Sequence, residues 1–228
     1  MDVAIVIPAL DEELALPGLL ADVPAEFAAR VVVVDNGSRD RTAQVARDAG
    51  AEVVREPRRG YGAACLAGLA HLAARPPDVV AFLDADHSND PRALPALLAP
   101  IAAGADLAIG SRVLGRREEG SLTALQVFGN ALAAGLMRVA FGARVTDLGP
   151  FRAIRWGALQ RLGMRDRDYG WTVEMQARAF REGLSVAEVP VRTWRRRVGS
   201  SKVSGTLRGA FGAGTKILFT IARVRLGG

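Results

Sequence analysis

Two aspartates one residue apart, Asp84 and Asp86, close the apolar run Val79-Val80-Ala81-Phe82-Leu83. An unbroken apolar run reads as a parallel strand buried on both faces. Side chains at i and i+2 of extended backbone share a face, so both carboxylates stand together where the chain leaves its sheet. In open α/β sheets that carboxyl edge is where ligands bind. Two like charges held there repel unless a cation lies between them. Hard oxygen ligands suit Mg²⁺ or Mn²⁺ carrying phosphate oxygens of a substrate. The competing reading is a polar turn in which Asp84 caps a helix and Asp86 is only solvated.

The surrounding chain supplies the elements that must hold this pair. Val3 to Ile7, closed by Pro8, predict a first buried strand. A helix opened by Asp11 and Glu12 and carrying Leu14, Leu19 and Leu20 follows. Val31 to Val34 predict a second strand, and Asp35-Asn36-Gly37-Ser38 a turn in which Ser38 caps a helix from Arg39 to Ala49. A third strand is expected at 50–55. Gly60-Tyr61-Gly62 then opens an Ala-rich helix to about Ala74. After the Asp84 strand come a helix near Leu94 to Ala103 and a strand from Asp106 to Ile109, ending in Gly110-Ser111-Arg112. Strands alternating with single helices imply right-handed βαβ units and a mostly parallel sheet. Further on, Leu122 to Phe141 predict an amphipathic helix pair. Asp147 to Arg152 form a loop returning to a strand through Ile154, Trp171 to Arg181 form a helix bearing Glu174, and Val186 to Trp194 a last strand.

Composition narrows the classes. With 228 residues, half of them hydrophobic, the chain can build one well-buried domain and an appendage. A single cysteine, Cys65, excludes a disulfide framework. No charged lead with a cleavage site opens the chain, and no apolar run reaches about 20 residues. The expected location is the cytoplasm. Nine of the 30 Lys and Arg follow Glu188, after which no acidic residue occurs, so the net charge of +6 belongs to the tail. Such a tail, with Leu207, Phe211, Ile217, Leu218, Phe219 and Ile221 among its cations, favours phosphate-rich partners and suits an anionic membrane surface. A nucleic-acid-binding role needs aromatics interleaved with the cations. Only Trp194 and Phe211 are near, so no nucleic-acid partner is expected.

Glu12, Asp35, Gly60, Gly62 and the Asp84/Asp86 pair, gathered on one sheet edge, suit a nucleotide with a metal-bound diphosphate. A dinucleotide fold needs G-x-G-x-x-G after the first strand, where Pro8-Ala9-Leu10-Asp11-Glu12 stands instead. No G-x-x-x-x-G-K-[ST] loop occurs either. Isolated residues keep two readings. Glu174 is either a general base or a carboxylate bonding Arg152 or a loop. Trp171 is core or site wall more than a sugar platform, and His87 a metal ligand or loop packing. His71 and Cys65 receive no function.

Taken together, Ile5-Val6-Ile7-Pro8, Val34-Asp35-Asn36-Gly37-Ser38, Asp84-Ala85-Asp86 and Gly110-Ser111-Arg112 resemble the successive motifs of family 2 glycosyltransferases with the GT-A fold. The dolichyl- or polyprenyl-phosphate mannose synthase-like group matches best. Asp147 with Phe151-Arg152, Glu174-Met175, Glu188-Val189-Pro190, and Arg196 six residues before Lys202 extend the likeness. It implies an α/β fold with a mostly parallel, Rossmann-like sheet flanked by helices. The expected domain spans 1–204, with a nucleotide-sugar half at 1–112 and an acceptor half at 113–204, and the basic amphipathic tail is 205–228. By the resemblance, Pro8, Leu10, Glu12, Asp35, Gly62 and Ala85 cradle the donor nucleotide. Asp84, Asp86 and Ser88 surround Mg²⁺ or Mn²⁺, Arg112, Arg196 and Lys202 face the diphosphate or acceptor phosphate, and Asp147 and Arg152 belong to the substrate-binding set. The group carries an Arg and a Ser four apart near the acceptor phosphate, where Gln126 and Asn130 stand here. Two neutral amides can hydrogen-bond a phosphate or a hydroxyl. The implied activity is metal-assisted transfer of a hexose, with inversion, from a nucleotide-diphosphate sugar to a polyprenyl phosphate or similar membrane-associated acceptor. Such an enzyme would sit peripherally at the inner face of the cell membrane. A hydroxyl acceptor with Glu174 as base is the alternative within the family, and an inactive membrane-surface adaptor the alternative outside it.

Overall fold

Val-rich segments without polar interruption can be stable only where both faces are covered, and the chain obeys that rule. The computed structural model describes residues 1–27, 30–196 and 207–227, with the side chains of 207–214 left aside. In chain order the elements are β1 (Val3–Ala9), α1 (Leu16–Ala21), β2 (Arg30–Asp35), α2 (Thr42–Asp48), β3 (Glu52–Arg55), α3 (Tyr61–Leu72), β4 (Val79–Phe82), α4 (Leu94–Ala102), β5 (Leu107–Ser111), α5 (Ala124–Phe141), β6 (Arg152–Arg155), α6 (Trp156–Leu162), α7 (Trp171–Arg181), β7 (Val186–Pro190) and α8 (Leu207–Arg225). One turn of 3₁₀ helix, Pro91–Ala93, precedes α4.

The seven strands order as β3-β2-β1-β4-β6-β5-β7. All pairings are parallel except those of β6, which runs antiparallel between β4 and β5. That reversal decides where the site forms. Arg152 begins β6 opposite both Phe82, the last residue of β4, and Ile109 of β5. The loop entering β6 therefore lies on the same edge as the carboxyl ends of β1, β2, β4, β5 and β7. Ser111 pairs with Pro190, so the chain after β7 returns to that edge too.

Two apolar layers sandwich the sheet. Ile5, Ile7, Leu16, Leu19, Leu83, Leu97 and Ala108 build one. Val6, Val34, Leu72, Phe82, Ile109 and Trp171 belong to the other. Trp171 is fully buried and meets Phe82 edge-to-face at 5.9 Å, which makes it core. A third cluster joins α5, α7 and α8 through Ala133, Met137, Val173, Ile221 and Val224.

Several expectations are corrected. The segment expected as a helix pair is one helix, α5, started by a capping box in which Thr123 and Gln126 satisfy each other's backbone N–H. By length and composition alone α5 is apolar enough to cross a membrane, although no run of about 20 residues was expected. Ser38 does not cap α2: the helix begins at Thr42, and the Ser38 hydroxyl instead accepts from the Asp11 N–H. Leu14 precedes α1 and is exposed. The β4 strand stops at Phe82, so Asp84 and Asp86 lie in the turn that follows rather than in extended backbone.

Candidate active site

On the donor side, two loops are laced together at the ends of β1 and β2. Asp11 adopts a left-handed φ of 52°. Its N–H donates to Ser38 Oγ at 3.0 Å, and its carboxylate accepts from the Arg39 N–H at 2.8 Å. The Glu12 N–H donates to the buried Thr42 hydroxyl at 2.8 Å. Asp35, at the end of β2, accepts from the Ser38 N–H. Asn36 explains its own presence: its amide donates to the Glu56 and Arg58 carbonyls and accepts from the Gly60 N–H. A carboxylate at this position could not donate. Pro8 and Leu10 stand half-buried on the same edge.

Gly62 has a different reason from the one the motif suggests. A Cβ there would lie 2.1 Å from the Asp166 carbonyl oxygen, and one on Gly60 equally close to that of Arg167. Both glycines let the 165–168 loop seat on the start of α3, where the Ala63 N–H donates to the Arg167 carbonyl. Close packing of protein on protein, rather than a phosphate cradle, fixes these residues.

The two carboxylates of the Asp84-Ala85-Asp86 turn differ from each other in their surroundings. Asp84 Oδ1 is buried and has no hydrogen-bond partner, and the Tyr61 hydroxyl stands beside the carboxylate without a well-formed hydrogen bond to it. Burial, then the charge of Asp86, push Asp84 up to about 6 from 3.8, with the neighbouring Tyr61 hydroxyl, then Arg112 and Arg152, as partial compensation. Asp86 accepts from the Ser88 N–H at 3.0 Å, tightening the turn. Ala85 between them is buried. Arg196 bridges the two sides, pairing with Glu12 and, at 3.5 Å, with Asp86. Among the described residues no third His, Cys, Asp or Glu completes a protein-only metal cluster. An orphaned buried oxygen beside a second carboxylate nevertheless fits a divalent ion whose other ligands are phosphate oxygens and water. Ser88 presents its hydroxyl to the Asn89 amide and its carbonyl to the Trp194 N–H.

His87 packs rather than ligates. Its ring contacts Asp22 at 3.1 Å and meets Trp194 edge-to-face at 5.4 Å, with a left-handed φ of 55°. Trp194 is itself held between the guanidinium groups of Arg92 and Arg192, at 5.6 and 5.8 Å. The turn bearing Asp86 and the segment bearing Arg196 are thus fastened to each other. The sequence reading gave Trp194 no part in the site; its neighbours Arg92 and Arg192 are a hundred residues apart.

On the other side of the edge nearly every charge is paired. Arg112 donates twice to Asp147, through Nε at 2.9 Å and a terminal nitrogen at 2.7 Å, and its backbone N–H adds a third bond at 2.6 Å. Burial opposes the Arg112 charge, but Asp147 outweighs it and raises the pKa. Glu188, half-buried on β7, holds the Asp147 loop by accepting from the Thr146 and Asp147 N–H groups. Arg152 is fully buried, and its donors go to the carbonyls of Leu148, Gly149 and Thr172. Burial lowers its pKa to about 10. It cannot reach a phosphate.

Three more of the expected site residues are likewise engaged within the protein. Asn130 spans Thr146 and Leu148, donating to one carbonyl and accepting from one N–H, both at 2.9 Å. Gln126 is taken up by the α5 cap. Glu174 is completely buried and accepts from the N–H groups of Arg165 and Asp166 and from Arg178 and Arg223. With both oxygens engaged it matches the loop-binding reading of this carboxylate. Lys202 lies outside the described residues.

A seven-stranded, mostly parallel sheet with an acidic turn at the end of its fourth strand defines a GT-A-type sugar-nucleotide transferase. The model of the family described as "Glycosyl transferase family 2" matches residues 4–163, and the chain belongs to that family. It is similar to an uncharacterised glycosyltransferase of Mycobacterium tuberculosis, 43% identical over 91% of this chain and 92% of that one. It is also similar to the undecaprenyl-phosphate mannosyltransferase of Micrococcus luteus, 34% identical over 92% and 90%. Among solved structures, glucosyl-3-phosphoglycerate synthase from Mycobacterium tuberculosis, crystallised with Mn²⁺, UDP and glucosyl-3-phosphoglycerate, superposes with a TM-score of 0.75. That match has 23% identity and covers 98% of this chain and 79% of that one. It supports the fold.

Proposed function

We propose that this glycosyltransferase moves a hexose, with inversion, from a nucleotide-diphosphate sugar to a polyprenyl phosphate. The observation that carries the reading is Asp84 Oδ1, a buried oxygen without a partner beside Asp86, at the edge where the strand ends gather. Mg²⁺ or Mn²⁺ held by Asp84 and Asp86, with Ser88 nearby, would supply positive charge for the donor diphosphate. Glu12, Asp35, Pro8 and Leu10 frame the nucleotide side. Arg196, already poised between Glu12 and Asp86, offers its guanidinium to the leaving diphosphate as negative charge develops there.

The state of the carboxylates supports the phosphate acceptor. A hydroxyl nucleophile needs a base to take its proton. Glu174 is fully engaged, and Asp147 is locked by Arg112 with its side chain 1% exposed. A phosphate acceptor is already ionised and needs no base. Its oxygen attacks the anomeric carbon, the bond from that carbon to the diphosphate oxygen breaks, and the nucleoside diphosphate leaves. The likeness to an undecaprenyl-phosphate mannosyltransferase supports the same acceptor class.

Thermal shift with UDP-glucose, UDP-N-acetylglucosamine, GDP-mannose and the free diphosphates, each with and without Mn²⁺, tests the donor site, because ligands that bind the folded state raise its melting point. One nucleotide giving a metal-dependent shift is the expected result, followed by transfer of its sugar to a short-chain polyprenyl phosphate but not to the dephosphorylated alcohol. Transfer to the alcohol alone overturns the acceptor; no shift with any donor overturns the site.

A further inference from the structure

We infer that α5 and α8 together form a surface that docks on an anionic lipid bilayer, with α5 as its main apolar element. Leu125, Phe128, Leu132 and Val139 are 52%, 65%, 44% and 86% exposed. Their spacing of three, four and seven residues puts them on one face of the helix. This stripe is not spare core, because the opposite face of α5 already packs Ala133 and Met137 against Ile221 and Val224 of α8. Leu218 and Phe219 of α8, the helix packed on α5, and Leu226 just past its end are also exposed. An exposed apolar strip of this length marks an interaction surface.

Charge identifies the occupant. From Gly120 to Thr146 the chain carries no Asp or Glu, and none follows Glu188. Among the described residues of α5, the loop after it and α8, the exposed charges are Arg138, Arg144 and Arg225. A second copy related by a twofold axis would set these arginines against themselves, whereas anionic headgroups compensate them. The helix lies on the surface rather than through it, since Ala133 and Met137 tie one of its sides to the protein. The face also runs into the site. Asn130 of α5 clips Thr146 and Leu148, the neighbours of the Asp147 that holds Arg112. A bilayer on this face therefore lies next to the acceptor end of the sheet edge. The inference rests on the polyprenyl-phosphate reading for its purpose, not for its geometry.

The test is co-sedimentation of the full chain with vesicles of phosphatidylcholine alone, and of phosphatidylcholine with phosphatidylglycerol. Binding is expected to the second, and the double substitution Leu132→Glu, Val139→Glu is expected to weaken it by about tenfold or more, since burying one such side chain is worth about that factor. Phe27→Glu, at an exposed aromatic on the opposite edge of the sheet, serves as the matched control and is expected to leave binding unchanged. All three proteins should keep the same metal-dependent donor shift. If that shift is absent while vesicle binding behaves as expected, the enzymatic reading fails and the surface stands. Wild-type protein that pellets with neither vesicle overturns the inference, as does a double variant that binds as well as wild type. Light scattering that shows a dimer broken by the same substitutions, without vesicle binding, overturns it in favour of a second copy.

Discussion

The two sides of the sheet edge use charge in opposite ways. On the side of β5, β6 and α7, Arg112 closes on Asp147, Arg152 on three carbonyls and Glu174 on four donors. On the side of β1 and β4, Asp84 and Asp86 are set against each other, with a buried oxygen unsatisfied. A fully paired buried charge holds a loop in place. A buried charge kept short of partners costs stability in the resting protein and is tolerated where a ligand supplies what is missing. On the proposed reading, the first group is architecture and the second chemistry.

The sharpest way to break that contrast is to remove one residue from each side. Asp86→Ala is expected to lower the rate of transfer by about a thousandfold, the scale for losing a key electrostatic contribution, while the melting point stays within a few degrees. Glu174→Ala should do the reverse. It strands Arg178 in a buried site and frees the 165–166 backbone, costing about 3–5 kcal/mol, or roughly 10 °C in Tm for a chain of this length. Donor-dependent catalysis by the fraction that remains folded should persist. If Glu174→Ala melts like wild type yet loses all activity, the assignment of the carboxylate to architecture is wrong.

A smaller effect sharpens the same point through pH. Because the folded-state pKa of Asp84 is raised to about 6 from 3.8, the folded protein holds a proton between those values that the unfolded chain releases. Without metal, stability therefore falls as pH rises through this window, by at most about 3 kcal/mol for a side chain that is only half-buried as a whole. Asp84→Asn should remove that fall and raise the Tm at neutral pH, while abolishing stabilisation by Mn²⁺. In wild type the Mn²⁺ shift should be larger at neutral pH than at pH near 5, since the metal needs the ionised form. Melting curves that are flat across this range in metal-free wild type would remove the argument from repulsion.

Much of this was legible in the chain, and the part that was not has a physical cause. The Val-rich runs at 3–7, 31–34 and 79–83 announce buried parallel strands because few other structures cover both faces. The Asp84-Ala85-Asp86 turn announces itself because two acids directly after such a run have to be at the sheet edge. The antiparallel direction of β6 is hidden, since four residues carry no sign of which way they run. The fate of a charge is hidden as well. Glu174 meets Arg223 from 49 residues away, and Arg152 reaches Thr172 across 20. Residue type says that a group is ionic; only the fold says whether it is already spent on a partner. Gly62 shows the same limit, for the resemblance sets it at the donor nucleotide while its surroundings demand room for the Asp166 carbonyl.

The smallest expected effect concerns the fastening between the two chemical groups on the unsatisfied side. Trp194 touches neither carboxylate, yet its ring meets Arg92, Arg192 and His87, while its backbone N–H donates to the Ser88 carbonyl two residues before Arg196. Cation–π contacts of this kind are worth about 0.5–2 kcal/mol, enough to hold a short segment but not to decide the fold. Trp194→Ala should therefore lower kcat/KM by about tenfold, mostly in kcat, with a Tm loss of only a few degrees. Trp194→Phe, which keeps a ring between the guanidinium groups, should recover most of the rate. The split between kcat and KM is the informative reading. In the proposed reaction Arg196 serves the leaving diphosphate more than the bound donor, so loosening its segment should leave donor affinity nearly intact. A loss confined to KM, or a Phe variant as slow as the Ala one, would separate Trp194 from Arg196 and leave the tryptophan as packing alone.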